Sequence, residues 1–295
     1  MKKKTISMKF ISITLKTIVF LSLICITAKS WQLLTDGFRK DKISSDLSVA
    51  PQDMNIPPEI DKILDQKFKY LSKGCQTYVF ESFDQNYVIK FVRFHRYKIP
   101  LWLRVSSFLE KHKNKRLFYK NKLLQDSLKS YEIAYNYLKD ETATIYVHLN
   151  KTRSINKNLQ IFDRLNRKYL VDLDSSGFII QKKVKIFQDV LNHNKNSEIE
   201  LKKLAHSFLY TTKSLYQKGF INDDYNCVKN SGFIDGKVIH TDLGSFLPKD
   251  HLMEKQNFEN EFYRFVRYFK KWSDKNAPFL STYVDEEIKN MSQAL

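Results

Sequence analysis

Two acidic centres, Asp223-Asp224 and Asp242, stand in one stretch of the sequence, Ile221 to Phe246, with Asn230 between them. Three of the chain's seven glycines, Gly232, Gly236 and Gly244, lie in the same stretch. Val238 to His240 reads as a short apolar strand running into Thr241-Asp242-Leu243-Gly244. A strand that ends in Asp, followed by Gly, points a carboxylate into a cleft while the backbone turns sharply. An upstream Asp and an Asn on the preceding loop supply the other polar groups of a Mg²⁺-phosphate site. The same residue types also build a plain polar hairpin, in which Asn, Asp and Gly only form turns. The choice between the two depends on what the rest of the chain brings to this stretch.

A matching half lies far upstream, in Phe68 to Val92. Tyr70-Leu71 and Thr77 to Phe83 read as strands around a turn at Ser72 to Gln76, which contains Gly74. Asp84-Gln85-Asn86 is a second turn, and Tyr87 to Val92 a third strand. Lys90 interrupts the apolar run of that strand between Ile89 and Phe91. Burying an unpaired ammonium is expensive, so such a Lys either meets an anion or reaches water from a sheet edge. Leu123 to Lys139 has helical spacing, with Leu124, Leu128, Tyr131, Tyr135 and Leu138 on one face. Glu132 lies on the shoulder of that face, where it could meet a strand Lys or remain an ordinary helix-flank carboxylate in water.

Further strands are expected at Ala143 to Leu149, Leu159 to Phe162, Tyr169 to Leu173 and Phe178 to Gln181. A helix is expected over Ile199 to Lys218, stopped by Gly219. Two more follow, at Glu259 to Trp272 and Phe279 to Ile288. A short helix over Glu59 to Gln66 leads into the first strand.

The formal net charge of +18, from 50 Lys and Arg against 32 Asp and Glu, favours anionic partners such as nucleotides or phospholipid headgroups. Arg93 to Lys122 carries ten of the basic residues with Glu110 as its one acid, and within it Leu101 to Leu109 is apolar enough to lie on a lobe or a membrane surface. No nucleic-acid motif accompanies the charge, so a nucleic-acid partner is not expected. The three cysteines are widely spaced and show no disulfide framework. The seven histidines show no zinc spacing.

At the N-terminus, Lys2-Lys3-Lys4 precede an apolar run whose cleanest part is Thr17 to Ala28. Extended back to Met8, the run reaches about 21 residues, enough to cross a bilayer, with Lys9 beside its start and Lys16 inside it. A single-pass membrane anchor is the favoured reading, and secretion after signal cleavage the alternative. Residues 1–30 are therefore read as an anchor or signal segment, and 31–66, which contain Ile56-Pro57-Pro58, as a linker.

In chain order the sequence offers a strand-turn-strand with Gly, a strand Lys, a helix Glu, more strands, a long helix, an Asp/Asn loop, and a strand ending Asp-Leu-Gly. This order resembles the protein-kinase-like fold from about Phe68 to Trp272. The resemblance implies a two-lobed α+β domain: an N-lobe of antiparallel sheet plus helix over 67–181, and a small, mainly helical C-lobe over 182–295. It implies ATP and Mg²⁺ as cofactors. Lys90 would hold the α- and β-phosphates, fixed by Glu132, and Gly74 would let the covering loop approach them. Asn230 and Asp242 would bind the metal, and Asp224 would orient or deprotonate the acceptor hydroxyl of a protein or small molecule.

The sequence also departs from the family pattern. Asn222-Asp223-Asp224 replaces His-Arg-Asp, and Asp223 rivals Asp224 for the same role. The covering loop has one Gly, no Ala-Pro-Glu follows Asp242, and only 51 residues remain after Gly244. These departures suit an atypical, minimal kinase, or a catalytically inactive pseudokinase serving as a membrane-anchored scaffold.

Overall fold

The computed structural model describes residues 2–45, 55–105 and 110–295, without the side chains of 2–9, 11, 104 and 105. Part of the expected linker and the end of the apolar run Leu101 to Leu109 lie outside the described residues.

The architecture is α+β, as the sequence implies. Helix α1 (Lys2–Leu34) is continuous over 33 residues, about 50 Å at the usual rise. Its stretch Ser12–Leu34 is long and apolar enough to cross a membrane, and none of that stretch is buried against the protein. A short α2 (Pro58–Leu64) follows and leads into the sheet strands β1 (Phe68–Lys73), β2 (Thr77–Ser82) and β3 (Tyr87–Val92). After α3 (Leu101–Val105), α4 (Glu110–Asn136) and α5 (Lys139–Thr142) come β4 (Thr144–His148), β5 (Asn158–Phe162), β6 (Lys168–Asp172) and β7 (Phe178–Lys182). These strands form one seven-stranded sheet in the order β4-β7-β3-β2-β1-β5-β6. Every pair in it is antiparallel except β1–β5. Strand β3, which carries Lys90, is therefore interior, and the edge alternative for that residue does not hold.

The second half holds β8 (Lys185–Ile186), α6 (Phe187–His193), α7 (Glu198–Gln217), β9 (Phe220–Asn222), β10 (Ser231–Ile234), β11 (Lys237–His240), β12 (Phe246–Pro248), α8 (Lys255–Asn276) and α9 (Pro278–Gln293). Helix α7 starts on Ser197, whose hydroxyl accepts the Glu200 N–H at 3.4 Å, so a Ser-x-x-Glu box opens it. Phe208 of α7 meets Phe265 and Phe269 of α8 as one aromatic seam, while α9 closes the bundle with buried Leu280, Val284 and Ile288.

The apolar interior falls into two clusters. One joins the sheet to α2, through Phe68, Phe80, Ile89, Ile161 and Ile63. The other runs from α4 through the helices and small sheets of the second half.

The segment after α1 differs from the linker expectation. Phe38 and Ile43 are buried in the sheet's own core, and the Phe38 ring stands edge-on to Tyr78, Phe80 and Tyr169 at 5.2–5.6 Å. Residues 35–45 are mostly polar, and two isolated hydrophobes give no period by which to recognise packing. Helix α4 also begins well before the expected Leu123. Its first turns are basic and exposed, so they lack the apolar stripe from which a helix is read.

Phe38→Ala is expected to destabilise the protein by about 3–5 kcal/mol in denaturant unfolding; an unchanged midpoint contradicts the packing. Burial also pushes the His95 and His240 imidazoles down to about 4, and His148 below its ordinary value. An unfolded His takes its proton near 6.5, so stability is full above that pH and is lost as the pH falls from 6.5 towards 4. His240→Phe should flatten the loss of Tm over that interval, and an identical slope in the variant rejects the assignment.

Candidate functional site

Asp242 follows β11, which pairs with β10 through the turn Asp235-Gly236. Both turn residues have positive φ, 49° and 78°, as a tight two-residue hairpin needs. The stretch thus does contain a turn-forming Asp-Gly pair, but that pair is separate from Asp242. The hairpin delivers Thr241 and Asp242 beside Asn230, whose carbonyl accepts the Thr241 N–H at 2.8 Å and the Asp242 N–H at 3.4 Å. Asp242 Oδ1 accepts the Gly244 N–H at 3.2 Å, which turns the chain away.

Asp224 enters from the other side. Strands β9 and β12 pair Asn222 with Phe246, and the Asp223 N–H donates to the Ser245 carbonyl at 2.9 Å. This ties the acidic loop to the Asp-Leu-Gly segment. Asn230 Nδ2 donates to Asp224 Oδ2 at 2.7 Å, and Asp224 Oδ1 accepts the Asn226 N–H at 2.9 Å. Asp223 points elsewhere, to the Arg264 guanidinium at 2.9 Å and the Tyr225 hydroxyl at 3.2 Å. Of the two rival acids, Asp224 is the one joined to Asn230. Both acids border a cavity of about 370 Å³, lined also by Tyr225, Asn226, Ser245 and Tyr268.

Lys90 arrives from β3, 151 residues away in sequence, and its amine donates to the Thr241 carbonyl at 2.6 Å. The residue keeps some exposed surface, but its amine is enclosed by protein. Burial pushes it down to about 8, and the Asp242 carboxylate pulls it back up. Lys90, the Thr241 backbone, Asn230 and Asp224 therefore form one polar chain, and Asp242 joins it through its backbone N–H and acts on the amine by its charge.

The expected Lys90–Glu132 pair is not formed. Glu132 is exposed on α4, and no ion pair joins it to Lys90 among the described residues. One residue along a helix is a rotation of about 100°, and the side chain turned into the cleft is the preceding Tyr131. Its hydroxyl donates to Gln76 Oε1 at 2.8 Å, and burial holds its phenol well above the usual range, so it is neutral. Gln76 Nε2 in turn donates to the Gly244 carbonyl at 3.4 Å. The contact is so close that a Cβ on Gly244 would overlap the Gln76 amide, so any larger residue there requires the Gln76 side chain to move aside. Ser130 completes the clasp: its hydroxyl donates to the Leu243 carbonyl at 2.5 Å and accepts the Phe246 N–H at 2.6 Å. Sequence reasoning missed Gln76, Ser130 and Tyr131. Tyr131 was visible only as one of the apolar-face residues, and Gln76 as a turn residue.

Gly74 sits in the exposed β1–β2 turn, its N–H donating to the Thr77 carbonyl at 2.9 Å and its carbonyl accepting from Arg93 at 2.7 Å. The oxygens of Asp242 and the amide oxygen of Asn230, whose nitrogen is taken by Asp224, are a hard donor set of the kind that Mg²⁺ accepts alongside phosphate and water. No group of three or more His, Cys, Asp or Glu able to cage a metal occurs among the described residues.

No family model matches the sequence, and no curated protein is significantly similar to it. Among solved structures the chain is similar to WbdD in complex with the kinase inhibitor LY294002, at 16% identity and a TM-score of 0.38, covering 75% of this chain and 45% of that one. A structure of the bifunctional kinase-methyltransferase WbdD matches at 17% identity and a TM-score of 0.36, covering 72% and 43%. The Rv3197–erythromycin complex from Mycobacterium tuberculosis matches at 11% identity and a TM-score of 0.33, covering 78% and 60%. The chain thus spans less than half the length of the WbdD structures it matches. Within the molecule itself, the backbone of Thr241 to Leu243 meets both the Lys90 amine from the interior strand β3 and the Ser130 hydroxyl from α4.

An NMR titration of the Lys90 side chain should give a midpoint near 8, and a midpoint near the ordinary 10.5 contradicts its enclosure. Glu132→Ala should change stability by no more than about 0.5 kcal/mol, whereas Tyr131→Ala should remove about 3–5 kcal/mol, both read by denaturant unfolding.

Proposed function

We propose that this chain is a membrane-tethered, atypical kinase-like phosphotransferase that uses ATP and Mg²⁺ to phosphorylate a hydroxyl group of a protein or small molecule. The observation that carries the reading is the meeting of the Lys90 amine with the Thr241-Asp242 backbone, beside an Asn230–Asp224 pair. Phosphoryl transfer asks for positioning and charge neutralisation more than for covalent chemistry. Lys90, still largely cationic at neutral pH, would bind the phosphates. Asp242 and Asn230 would hold the metal, which when bound neutralises charge on the transferring group. Asp224 would orient or deprotonate the acceptor hydroxyl from the cavity side. The β1–β2 turn with Gly74 would cover the nucleotide. Tethering is supported by the exposed apolar length of α1.

A second reading, a pseudokinase scaffold, is favoured by one set of contacts. Tyr131 occupies the cleft position expected of a helix Glu, and Gln76 lies directly against Gly244. Nucleotide entry then requires Gln76 to swing aside, a rotamer change well within reach of a partly exposed side chain.

Thermal denaturation with and without ATP and Mg²⁺ tests the proposal. Wild type should gain several degrees, and Lys90→Met and Asp242→Asn should each abolish the gain. Absence of any shift in wild type contradicts nucleotide use. Phosphate transfer should fall at least about 100-fold in Asp224→Asn, the usual scale for losing a general base; nucleotide binding without measurable transfer selects the scaffold.

A further inference from the structure

The exit of α1 is fastened to the sheet instead of hanging from a tether. Arg164 donates to the Leu33 carbonyl at 3.2 Å, Lys73 to the Asp36 carbonyl at 2.9 Å, and Tyr78 and Lys42 to the Gly37 carbonyl at 2.8 and 2.5 Å. The Tyr70 hydroxyl meets Asp36 Oδ2 at 3.0 Å, and the Arg167 guanidinium lies 4.6 Å over the Trp31 ring. With Phe38 buried just beyond, the lobe has one fixed attitude relative to the helix axis.

The cations at this exit are unusual in their partners. Lys42 and Lys73 bond carbonyls three and two residues past the end of α1. Arg93 bonds the carbonyls of Gly74 and Cys75, Arg96 that of Cys75, and Lys120 that of Arg96. Among the described residues none of these five has a carboxylate in ion-pair range, while nearby Arg39 pairs with Asp41 and Arg164 with Asp36. Burial lowers the Lys42 and Lys120 amines, and neighbouring guanidiniums lower them further: Arg39 and Arg93 at Lys42, Arg96 and Arg116 at Lys120. This is an uncompensated positive cluster beginning where an apolar span ends, and headgroup phosphate is the anion found at that depth.

We infer that the face formed by Lys42, Lys73, Arg93, Arg96 and Lys120 docks on the anionic headgroups of the bilayer that holds α1. The inference rests on α1 spanning a membrane, as proposed above. It adds that the lobe lies on the surface in a set orientation, held by lipid charge. The same guanidiniums hold the carbonyls of the β1–β2 turn, so lipid charge acts on the backbone that would cover a nucleotide.

The test is hydrogen exchange of the full chain in nanodiscs of phosphatidylcholine alone and of an equimolar phosphatidylcholine–phosphatidylserine mixture. Segments 39–43 and 93–98 should be protected at least about fivefold more in the anionic discs, the factor one engaged basic residue supplies. The triple variant Lys42→Gln, Arg96→Gln, Lys120→Gln should lose that difference while α7 and α8 exchange as in wild type, which shows the fold intact. Equal exchange in both discs overturns the docking and leaves the span standing. Failure of the chain to integrate into discs overturns span and docking together. The same protection from inositol hexakisphosphate added to neutral discs would assign the face to a soluble polyanion and overturn the bilayer assignment.

Discussion

One buried ammonium holds the candidate site together. The Lys90 amine leaves an interior strand of the large sheet and ends on the Thr241 carbonyl, next to the Asp242 carboxylate. An enclosed positive charge is tolerated only where carbonyl and carboxylate oxygens replace its lost water. That requirement fixes where the hairpin β10–β11 stands against the sheet. It also leaves the amine under-compensated, with one carbonyl bond and no adjacent glutamate. Its lowered proton affinity is the measure of that deficit, and an arriving phosphate would relieve it.

Around this contact the molecule closes by neutral clasps. Ser130 satisfies the Leu243 carbonyl and the Phe246 N–H at once, and Tyr131 and Gln76 reach from helix and turn to the Gly244 backbone. The buried Ser130 bonds specify one geometry because each unmade partner would be stranded away from water. The acidic loop is separately tied through β9–β12, so Asp224 reaches Asn230 without depending on the clasp. At the opposite end, Phe38 and the carbonyls of Asp36 and Gly37 lock α1 to the sheet, so the apolar helix and the site belong to one continuous body.

Much of the fold could be read from residue patterns. Strand β3 spans the expected Tyr87 to Val92 residue for residue, and α7 runs over the expected stretch and ends just before Gly219. Those signals are local, and tertiary packing agrees with them. The acidic half of the site was legible for the same reason: Asp224, Asn230 and Asp242 lie on short turns whose geometry their own sequence dictates. Glu132 failed because a helix face is about 100° per residue wide, and burial chose the aromatic Tyr131 over its charged neighbour. Gln76 and Ser130 left no trace in the pattern, since their partners lie 168 and 113 residues away. Residues 35–45 escaped as well, because one buried Phe and one buried Ile among polar residues form no period.

The site depends on the coupling of Lys90 to Asp242, and a double-mutant cycle on unfolding free energy measures it directly. Lys90→Met and Asp242→Asn, singly and together, are expected to depart from additivity by about 0.5–3 kcal/mol, as members of one polar network do. The parallel cycle of Lys90→Met with Glu132→Gln is expected to be additive. Additivity in the first cycle, or strong coupling in the second, would place the amine elsewhere and contradict the site.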